Sequence, residues 1–250
     1  MIRTIYHGSD RIIEKPLFGK GKPDNDYGSG FYTTEDKNKA DAWALINGNE
    51  DSAITNIYEL DDTGLNILNL DEYGSLSWIA EIIHNRGCRG EESQILGDEI
   101  DKIYKTDTSK ADIIIGYRAD DSYIDIVDAF LKNQVAIDEV ERLFRKGELG
   151  QQLFIKSKKA FNAIRFVGID KVIEKNEQPY DLQPRKEVSK FLKNRTTDIF
   201  LHGYQPTGIL ARDVIADKYI YNKEYNFYMK AELLKNKIEH NKKKGIEYDD

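Results

Sequence analysis

Residues 27–34 read YGSGFYTT and residues 39–43 read KADAW, and these two segments decide the fold. Glycines that run into aromatic and β-branched residues are typical of a turn entering a strand, which we predict at residues 30–33. The alanine-rich segment that follows predicts a helix at residues 35–46. Upstream, β-branched and aromatic residues predict a first strand at residues 2–6. The chain therefore starts with a strand, a long loop, a second strand and a helix.

The remainder of the first two thirds of the chain mixes strands and helices without strict alternation. Further strands are predicted at residues 53–60, 65–68, 112–116, 152–156 and 163–172, and helices at residues 75–85, 122–132 and 137–145. A doubly wound parallel sheet requires strands and helices to alternate along the chain. The pattern therefore predicts an α+β fold.

The composition shifts toward Lys, Asn, Glu and Tyr after about residue 174. Pro179 and Pro184 predict a linker there. We therefore divide the chain into residues 1–174 and a mostly helical C-terminal extension, residues 175–250. In this extension, Phe227 and Leu233 are predicted to share one face of the last helix.

Composition and charge exclude several classes of function. The net charge of −7 removes the broad positive field that binds nucleic acid nonspecifically, so a protein partner is favoured over nucleic acid. Cys88 is the single cysteine, which excludes an internal disulfide and favours a cytoplasmic location. No stretch reads as a signal peptide or a membrane span, and no motif predicts a bound metal.

The combined pattern is more informative than any one motif. A strand ending in His7-Gly8-Ser9, a glycine-rich loop, Gly30 followed by an aromatic and Tyr32, and a helix carrying Trp43 resemble the core of the poly-ADP-ribose-polymerase and diphtheria-toxin group of ADP-ribosyltransferases. The resemblance implies an ADP-ribosyltransferase-like split β-sandwich with flanking helices over residues 1–174. It also implies NAD⁺ as the substrate and no metal.

The resemblance assigns roles to residues of the first segment. His7 would hydrogen-bond a ribose hydroxyl of NAD⁺, and the backbone of Gly8 would hold the nicotinamide carboxamide. The rings of Tyr32 and Trp43 would sandwich the cationic nicotinamide.

Around these residues, Gly30 would belong to the binding loop. A hydroxyl that often contacts the carboxamide in related proteins falls at Ala40 here. That contact is therefore either missing or supplied by Ser9, Thr33 or Thr34.

The third family position is usually a glutamate at the start of a later strand, and its best match here is Gln152. The predicted catalytic residues are thus His7, Tyr32 and Gln152. Glutamine can hydrogen-bond a ribose hydroxyl, but it lacks the charge that stabilises an oxocarbenium-like transition state. Chain elongation is therefore disfavoured, and transfer of a single ADP-ribose is expected.

A bacterial family of unknown function within this superfamily has a similar Gln-led strand and a Gly-x-x-Ala-Asp-Asp motif, found here at residues 116–121. Its members are toxin-like. The resemblance therefore implies an intracellular mono-ADP-ribosyltransferase toxin, of a toxin–antitoxin or defence system, that is restrained by an inhibitory antitoxin protein. A catalytically weak module that binds NAD⁺ or ADP-ribose and an NAD⁺ glycohydrolase remain as alternatives.

Structural explanations stay open beside these roles. Tyr32 and Trp43 could be ordinary core aromatics, and Gln152 a polar residue at a strand start. The adjacent acids at residues 120–121 are interpreted as the cap of the following helix. Asp26 and Tyr27 either line the cleft or stabilise a turn.

Overall fold

A computed structural model describes residues 1–47, 52–119, 121–146, 150–172 and 183–244. The order of strands and helices confirms an α+β architecture. Within the described ranges, every helix is too short or too polar to cross a bilayer.

Two larger sheets form the framework. The first is antiparallel, in the order β1 (Ile2–Ser9), β3 (Ile54–Asp61), β7 (Ile164–Lys171). The second has the order β2 (Phe31–Thr33), β6 (Gln151–Ile155), β5 (Ile113–Tyr117), β4 (Ile67–Asn69), and only its β4–β5 pair is parallel.

The two sheets are joined by one backbone bridge. The amide of Tyr6 donates to the carbonyl of Thr34 at 2.8 Å, and the amide of Thr34 donates back at 3.0 Å. This bridge fixes the end of β1 beside β2, where the predicted site residues lie.

Helices and a short hairpin complete the fold. The helices are α1 (Lys37–Asn47), α2 (Ser75–Arg86), α3 (Glu91–Tyr104), α4 (Asp121–Leu131), α5 (Ile137–Lys146), α6 (Lys158–Asn162), α7 (Gln183–His202), α8 (Ala211–Asp217) and α9 (Ala231–Lys243). A 3₁₀ turn spans Leu70–Glu72, and β8 (Tyr219–Asn222) pairs with β9 (Phe227–Lys230) in an antiparallel hairpin.

Both faces of the second sheet are buried, and its side chains alternate between the two faces. Along β6, Leu153 and Ile155 join a cluster that contains Ile5 and Tyr58 of the first sheet. Phe154, between them, belongs instead to the larger cluster formed with the helices. Successive side chains of a strand point to opposite faces, so β6 separates the two parts of the core.

The strands and helices predicted up to residue 172 are all present, with small differences at their ends. Asp36 caps α1, since its carboxylate accepts from the amide of Asn38 at 3.0 Å. The sequence prediction omitted α3, although Leu96, Ile100 and Tyr104 lie at helical spacing and pack in the core.

The C-terminal part differs more from its predicted form. The prediction of a mostly helical extension missed the β8–β9 hairpin, and Phe227 lies in β9 rather than on the last helix. Pro184 lies in the first turn of α7, where its missing amide hydrogen costs nothing, and not in a linker. The predicted boundary at residue 174 and Pro179 lie outside the described residues.

Residues of the C-terminal part share the core of the preceding part. Val188, Leu192 and Val214 belong to the same buried cluster as Trp78. The hydroxyl of Tyr228, on the hairpin, accepts from the amide of Leu76 at 2.9 Å. Helix α7 and the hairpin therefore pack directly on the elements that carry the site.

Gly8 sets the distance between β1 and α1. A Cβ atom at this position would overlap the carbonyl oxygen of Ala40 and lie 2.6 Å from the nitrogen of Ala44. Ala40 and Ala44 are buried, at 2% and 0% exposure, because the helix lies directly on this glycine. The small residues at these three positions allow the backbone of β1 to contact the backbone of α1.

We expect Gly8→Ala to destabilise the protein by about 3 kcal/mol, since the atoms in the way are backbone and cannot rotate aside. For a chain of this size the unfolding midpoint should fall by roughly 6–12 °C. Gly168→Ala is the matched control, because a Cβ there meets nothing within 4 Å. Equal midpoints for the two variants in thermal unfolding would contradict the close contact of β1 with α1.

Candidate functional site

A cavity of about 710 Å³ lies where the end of β1, the loop before β2, α1, β6 and α7 meet. Seven residues that the sequence offered for the site line it, namely His7, Gly8, Tyr32, Thr33, Thr34, Trp43 and Gln152. Ser9 and Gly30 do not belong to its lining. Residues that are far apart in the sequence therefore share one concave surface.

His7 is held as a neutral imidazole. Its Nδ1 lies 2.7 Å from the carbonyl oxygen of Tyr32, and its ring lies 4.6 Å from that of Phe31. A carbonyl oxygen can only accept, so Nδ1 carries the hydrogen and Nε2 is left as an acceptor. Burial lowers the pKa of His7, although the bond to the Tyr32 carbonyl opposes that change. His7 is thus an oriented acceptor on the cavity wall.

Tyr32 has a structural role as well as a place in the lining. Its ring packs 4.8 Å from that of Phe154, and its hydroxyl donates to the carbonyl of Gly28 at 2.7 Å. The same hydroxyl accepts from the amide of Tyr27 at 3.0 Å. Burial raises the pKa of the Tyr32 phenol, so it remains protonated at neutral pH. Tyr32 therefore ties the glycine-rich loop to β2 while contributing to the cavity.

Trp43 carries a flat cation on one face of its ring. The guanidinium carbon of Arg118 lies 3.6 Å from the ring centroid of Trp43. Both residues line the cavity. A guanidinium stacks on an indole because it is planar, cationic and weakly hydrated. A planar cationic ring of a ligand has the same properties and would stack on this face in place of Arg118.

The hydroxyls expected to replace the one absent at Ala40 are engaged with the backbone. Ser9 donates to the carbonyl of Arg11 at 2.5 Å and accepts from Nδ2 of Asn56 at 3.0 Å, which stabilises the turn after β1. Thr33 donates to the carbonyl of Leu153 at 3.0 Å. Thr34 lines the cavity, and its hydroxyl donates to the carbonyl oxygen of Gln151 at 3.3 Å.

Gly30 has a packing role next to the sheet. A Cβ atom there would overlap the ring of Phe154 and lie 2.6 Å from the carbonyl oxygen of Ile155. The glycine therefore lets the chain enter β2 against β6.

Gln152 forms a buried pair with Asp26. Each is 6% exposed, and both line the cavity. Nε2 of Gln152 donates to Oδ2 of Asp26 at 2.9 Å. The same oxygen accepts from the amide of Ala119 at 2.9 Å, and Oδ1 accepts from Nη1 of Arg86 at 2.9 Å. Burial raises the pKa of Asp26, and the three donors oppose that rise. Of the two roles left open for Asp26, the structure gives it a place in the cleft.

The loop that carries Asp26 is anchored independently of its carboxylate. Tyr27 is buried, and its hydroxyl donates to the carbonyl of Tyr117 at 2.7 Å while accepting from Nε1 of Trp78 at 2.8 Å. Nδ2 of Asn85 donates to the backbone carbonyl of Asp26 at 3.3 Å. Tyr27 thus fixes the turn rather than lining the cavity.

Part of the Gly-x-x-Ala-Asp-Asp segment surrounds this pair. Gly116 is opposite Gln152 in the register of β5 and β6, and a Cβ atom on it would overlap the hydroxyl of Tyr27. Arg118 and Ala119 supply the contacts with Trp43 and Asp26. Asp120 and the side chain of Asp121 lie outside the described residues.

Cationic side chains from several elements also line the cavity, and the sequence analysis did not identify them. They are Lys39 on α1, Arg86 at the end of α2, Arg118 after β5 and Arg185 on α7. Among the described residues the lining carboxylates are Asp26 and Asp125. In a chain with a net charge of −7, the described part of the lining thus carries more cations than anions. No spacing along the sequence links these residues, because each comes from a different element.

Within the part of the chain that the structure describes, no group of three or more His, Cys, Asp or Glu side chains lies close enough together to hold a metal ion.

Comparison with known proteins identifies one family. A family model described as "Protein of unknown function (DUF3990)" matches residues 3–166. No curated protein and no solved structure matches the chain. The match includes β1 to β6 and most of the cavity wall, and it ends before α7.

We expect the imidazole of His7 to titrate below pH 6.5, the ordinary value for histidine, because burial disfavours its charged form. Nitrogen-detected NMR over a pH series measures both the pKa and the tautomer, and the His7→Gln variant assigns the signal. The hydrogen should be on Nδ1. A pKa of 6.5 or more would contradict the effect of burial on the ring, and a hydrogen on Nε2 would contradict the bond to the Tyr32 carbonyl.

Proposed function

The chain belongs to the DUF3990 family of proteins of unknown function, and we propose that it is an NAD⁺-dependent mono-ADP-ribosyltransferase. In this proposal the two larger sheets form the split β-sandwich of ADP-ribosyltransferase-like proteins. NAD⁺ binds in the 710 Å³ cavity, and a macromolecular acceptor, a protein rather than nucleic acid, receives the ADP-ribose.

The observation that carries the proposal is the convergence of His7, Gly8, Tyr32 and Trp43 on one cavity. A sequence resemblance does not require such convergence, and ordinary core aromatics would have been buried away from any cavity. The cavity also lies within the range of about 300–1,000 Å³ that holds small molecules and cofactors.

The charge of the cavity supports an anionic ligand. Three guanidinium groups, on Arg86, Arg118 and Arg185, line it in a chain that is acidic overall. Guanidinium groups bind phosphate oxygens with paired hydrogen bonds, and a local positive field attracts anions. NAD⁺ combines a diphosphate with a planar cationic ring. The lining thus offers both arginines and an aromatic face of the required kind.

The reaction follows from these positions. The bond between the anomeric carbon and the nicotinamide nitrogen breaks, and nicotinamide leaves with the electron pair. A nucleophilic atom of the acceptor bonds to the anomeric carbon and releases a proton. Trp43 and Tyr32 hold the leaving group, His7 accepts a hydrogen bond from a ribose hydroxyl through Nε2, and Gln152 orients the ribose beside the breaking bond. These groups lower the activation free energy only if they bind the developing cation more tightly than they bind NAD⁺ itself.

An amide at position 152 is compatible with two related functions. An amide in place of a carboxylate favours a module that binds NAD⁺ or ADP-ribose with little turnover. Water in place of the acceptor would make the protein an NAD⁺ glycohydrolase. Both alternatives use the same cavity, and their products differ from those of a transferase.

To test the proposal, the purified protein and a cell lysate are incubated with NAD⁺ labelled on its adenylate, and free nicotinamide and acid-precipitable label are followed. The wild type should release nicotinamide and transfer label. Stacking of a base on an aromatic ring is worth about 1–3 kcal/mol, so Trp43→Ala should lower kcat/KM by about 5- to 150-fold. Tyr73→Ala is the matched control, because Tyr73 is 46% exposed and lies outside the cavity lining.

The two products separate the candidate functions. Nicotinamide without transferred label identifies a glycohydrolase. NAD⁺ binding with neither product identifies a binding module, and a wild type that does not bind NAD⁺ refutes the proposal in all its forms.

A further inference from the structure

We propose that Asp26 is a positioning residue that supplies, through Gln152, the negative charge that an amide lacks. This inference rests on the proposed function. It assigns to Asp26, on the loop before β2, the charge that a glutamate would carry at position 152. Asp26 and Gln152 would then act as one unit, with the carboxylate behind the amide.

The hydrogen bond between the two side chains fixes which way the amide is turned. Nε2 of Gln152 lies 2.9 Å from Oδ2 of Asp26 and must be the donor, because a carboxylate oxygen accepts. Oε1 of Gln152 is therefore the atom that keeps its capacity to accept from a ribose hydroxyl. An unpaired glutamine could present either end of its amide to the ligand.

The partners of Asp26 match an ionised carboxylate. Ala119, Gln152 and Arg86 all donate to its two oxygens, at 2.9 Å each. A protonated carboxyl would need an acceptor for its own hydrogen, and these three groups provide none. A charged acceptor also polarises the amide that donates to it, which increases the negative charge on Oε1. The Asp26–Gln152 pair thus gives Oε1 of Gln152 part of the negative charge that a glutamate would carry at this position.

The carboxylate is separable from the fold of its loop. Tyr27 and Asn85 hold this loop through the Tyr27 hydroxyl and the Asp26 carbonyl, and neither bond uses the Asp26 side chain. Asp26→Asn has nearly the same volume but carries no charge. With its oxygen at the Oδ2 position it keeps the bonds from Ala119 and Gln152 and turns its NH₂ toward Arg86; with its oxygen at the Oδ1 position it sets a donor against Nε2 of Gln152. In both orientations Gln152 loses its charged acceptor.

The test is a double-mutant cycle on the full chain with Asp26→Asn, Gln152→Glu and the variant that carries both changes. The combined variant exchanges the two groups and restores a charged hydrogen-bonded pair, with the carboxylate now at position 152. Asp128→Asn is the matched control, since Asp128 is a partly buried carboxylate that pairs with Lys132 and Ser93 outside the cavity lining.

The measured quantities are the kcat for nicotinamide release, the Kd for NAD⁺ by calorimetry and the unfolding midpoint. We expect Asp26→Asn to lower kcat by about 100-fold, a typical loss for one oriented polar group in a reaction site, with Kd changed by less than about 3-fold. The exchanged variant should recover to within about 10-fold of the wild type, because the pair is re-formed.

The outcomes separate this inference from the proposed function. If the wild type neither binds NAD⁺ nor releases nicotinamide, both fail. If the wild type is active and Asp26→Asn retains more than about a third of its kcat, this inference alone is wrong. It is also wrong if the exchanged variant folds but is no better than Asp26→Asn, since the loss would then not arise from the pairing with residue 152.

Discussion

The hydrogen bonds to the carboxylate of Asp26 join four segments at one point of the cavity lining. Its oxygens accept from Arg86 at the end of α2, from the amide of Ala119 after β5 and from Gln152 on β6, while Asp26 itself lies on the loop before β2. A buried charge is costly unless it is paired and hydrogen-bonded, so the carboxylate favours an arrangement in which all three donors stay in contact with it. The loop, α2, β5 and β6 are also held by other bonds, and the carboxylate adds the point at which all four meet on the cavity lining.

Close backbone contacts determine the shape of the walls. The contact of Gly8 with α1 brings His7 and Trp43 to the same cavity, and the lack of a side chain on Gly116 leaves room for Tyr27, which holds the Asp26 loop. Helix α7 closes the remaining side with Arg185 and Ser189. Because α7 follows the part matched by the family model, this wall belongs to the C-terminal part of the chain.

The sequence predicted most elements up to residue 172 because their periods and turn residues are local signals, but it did not predict α3 or α6. It also identified the cavity residues that lie in recognisable motifs, such as His7 and Trp43. It did not predict the Gln152–Asp26 pair, since no rule of spacing relates a loop residue to a strand 126 positions away. The arginines of the cavity were not predicted as site residues for the same reason. The β8–β9 hairpin was missed because the alternation in Tyr219–Asn222 and Phe227–Lys230 is short and surrounded by helical composition.

The central claim is that NAD⁺ binds with its nicotinamide on Trp43, and the tryptophan fluorescence tests it most directly. The chain has two tryptophans, and Trp78 is 1% exposed in the core. Titration with NAD⁺, corrected for absorption, should quench the wild-type emission in a saturable manner with a Kd below about 1 mM. The Trp43→Phe variant should lose that quenching. Emission that does not respond to NAD⁺, or that responds equally in the folded variant, would contradict the assignment of the cavity.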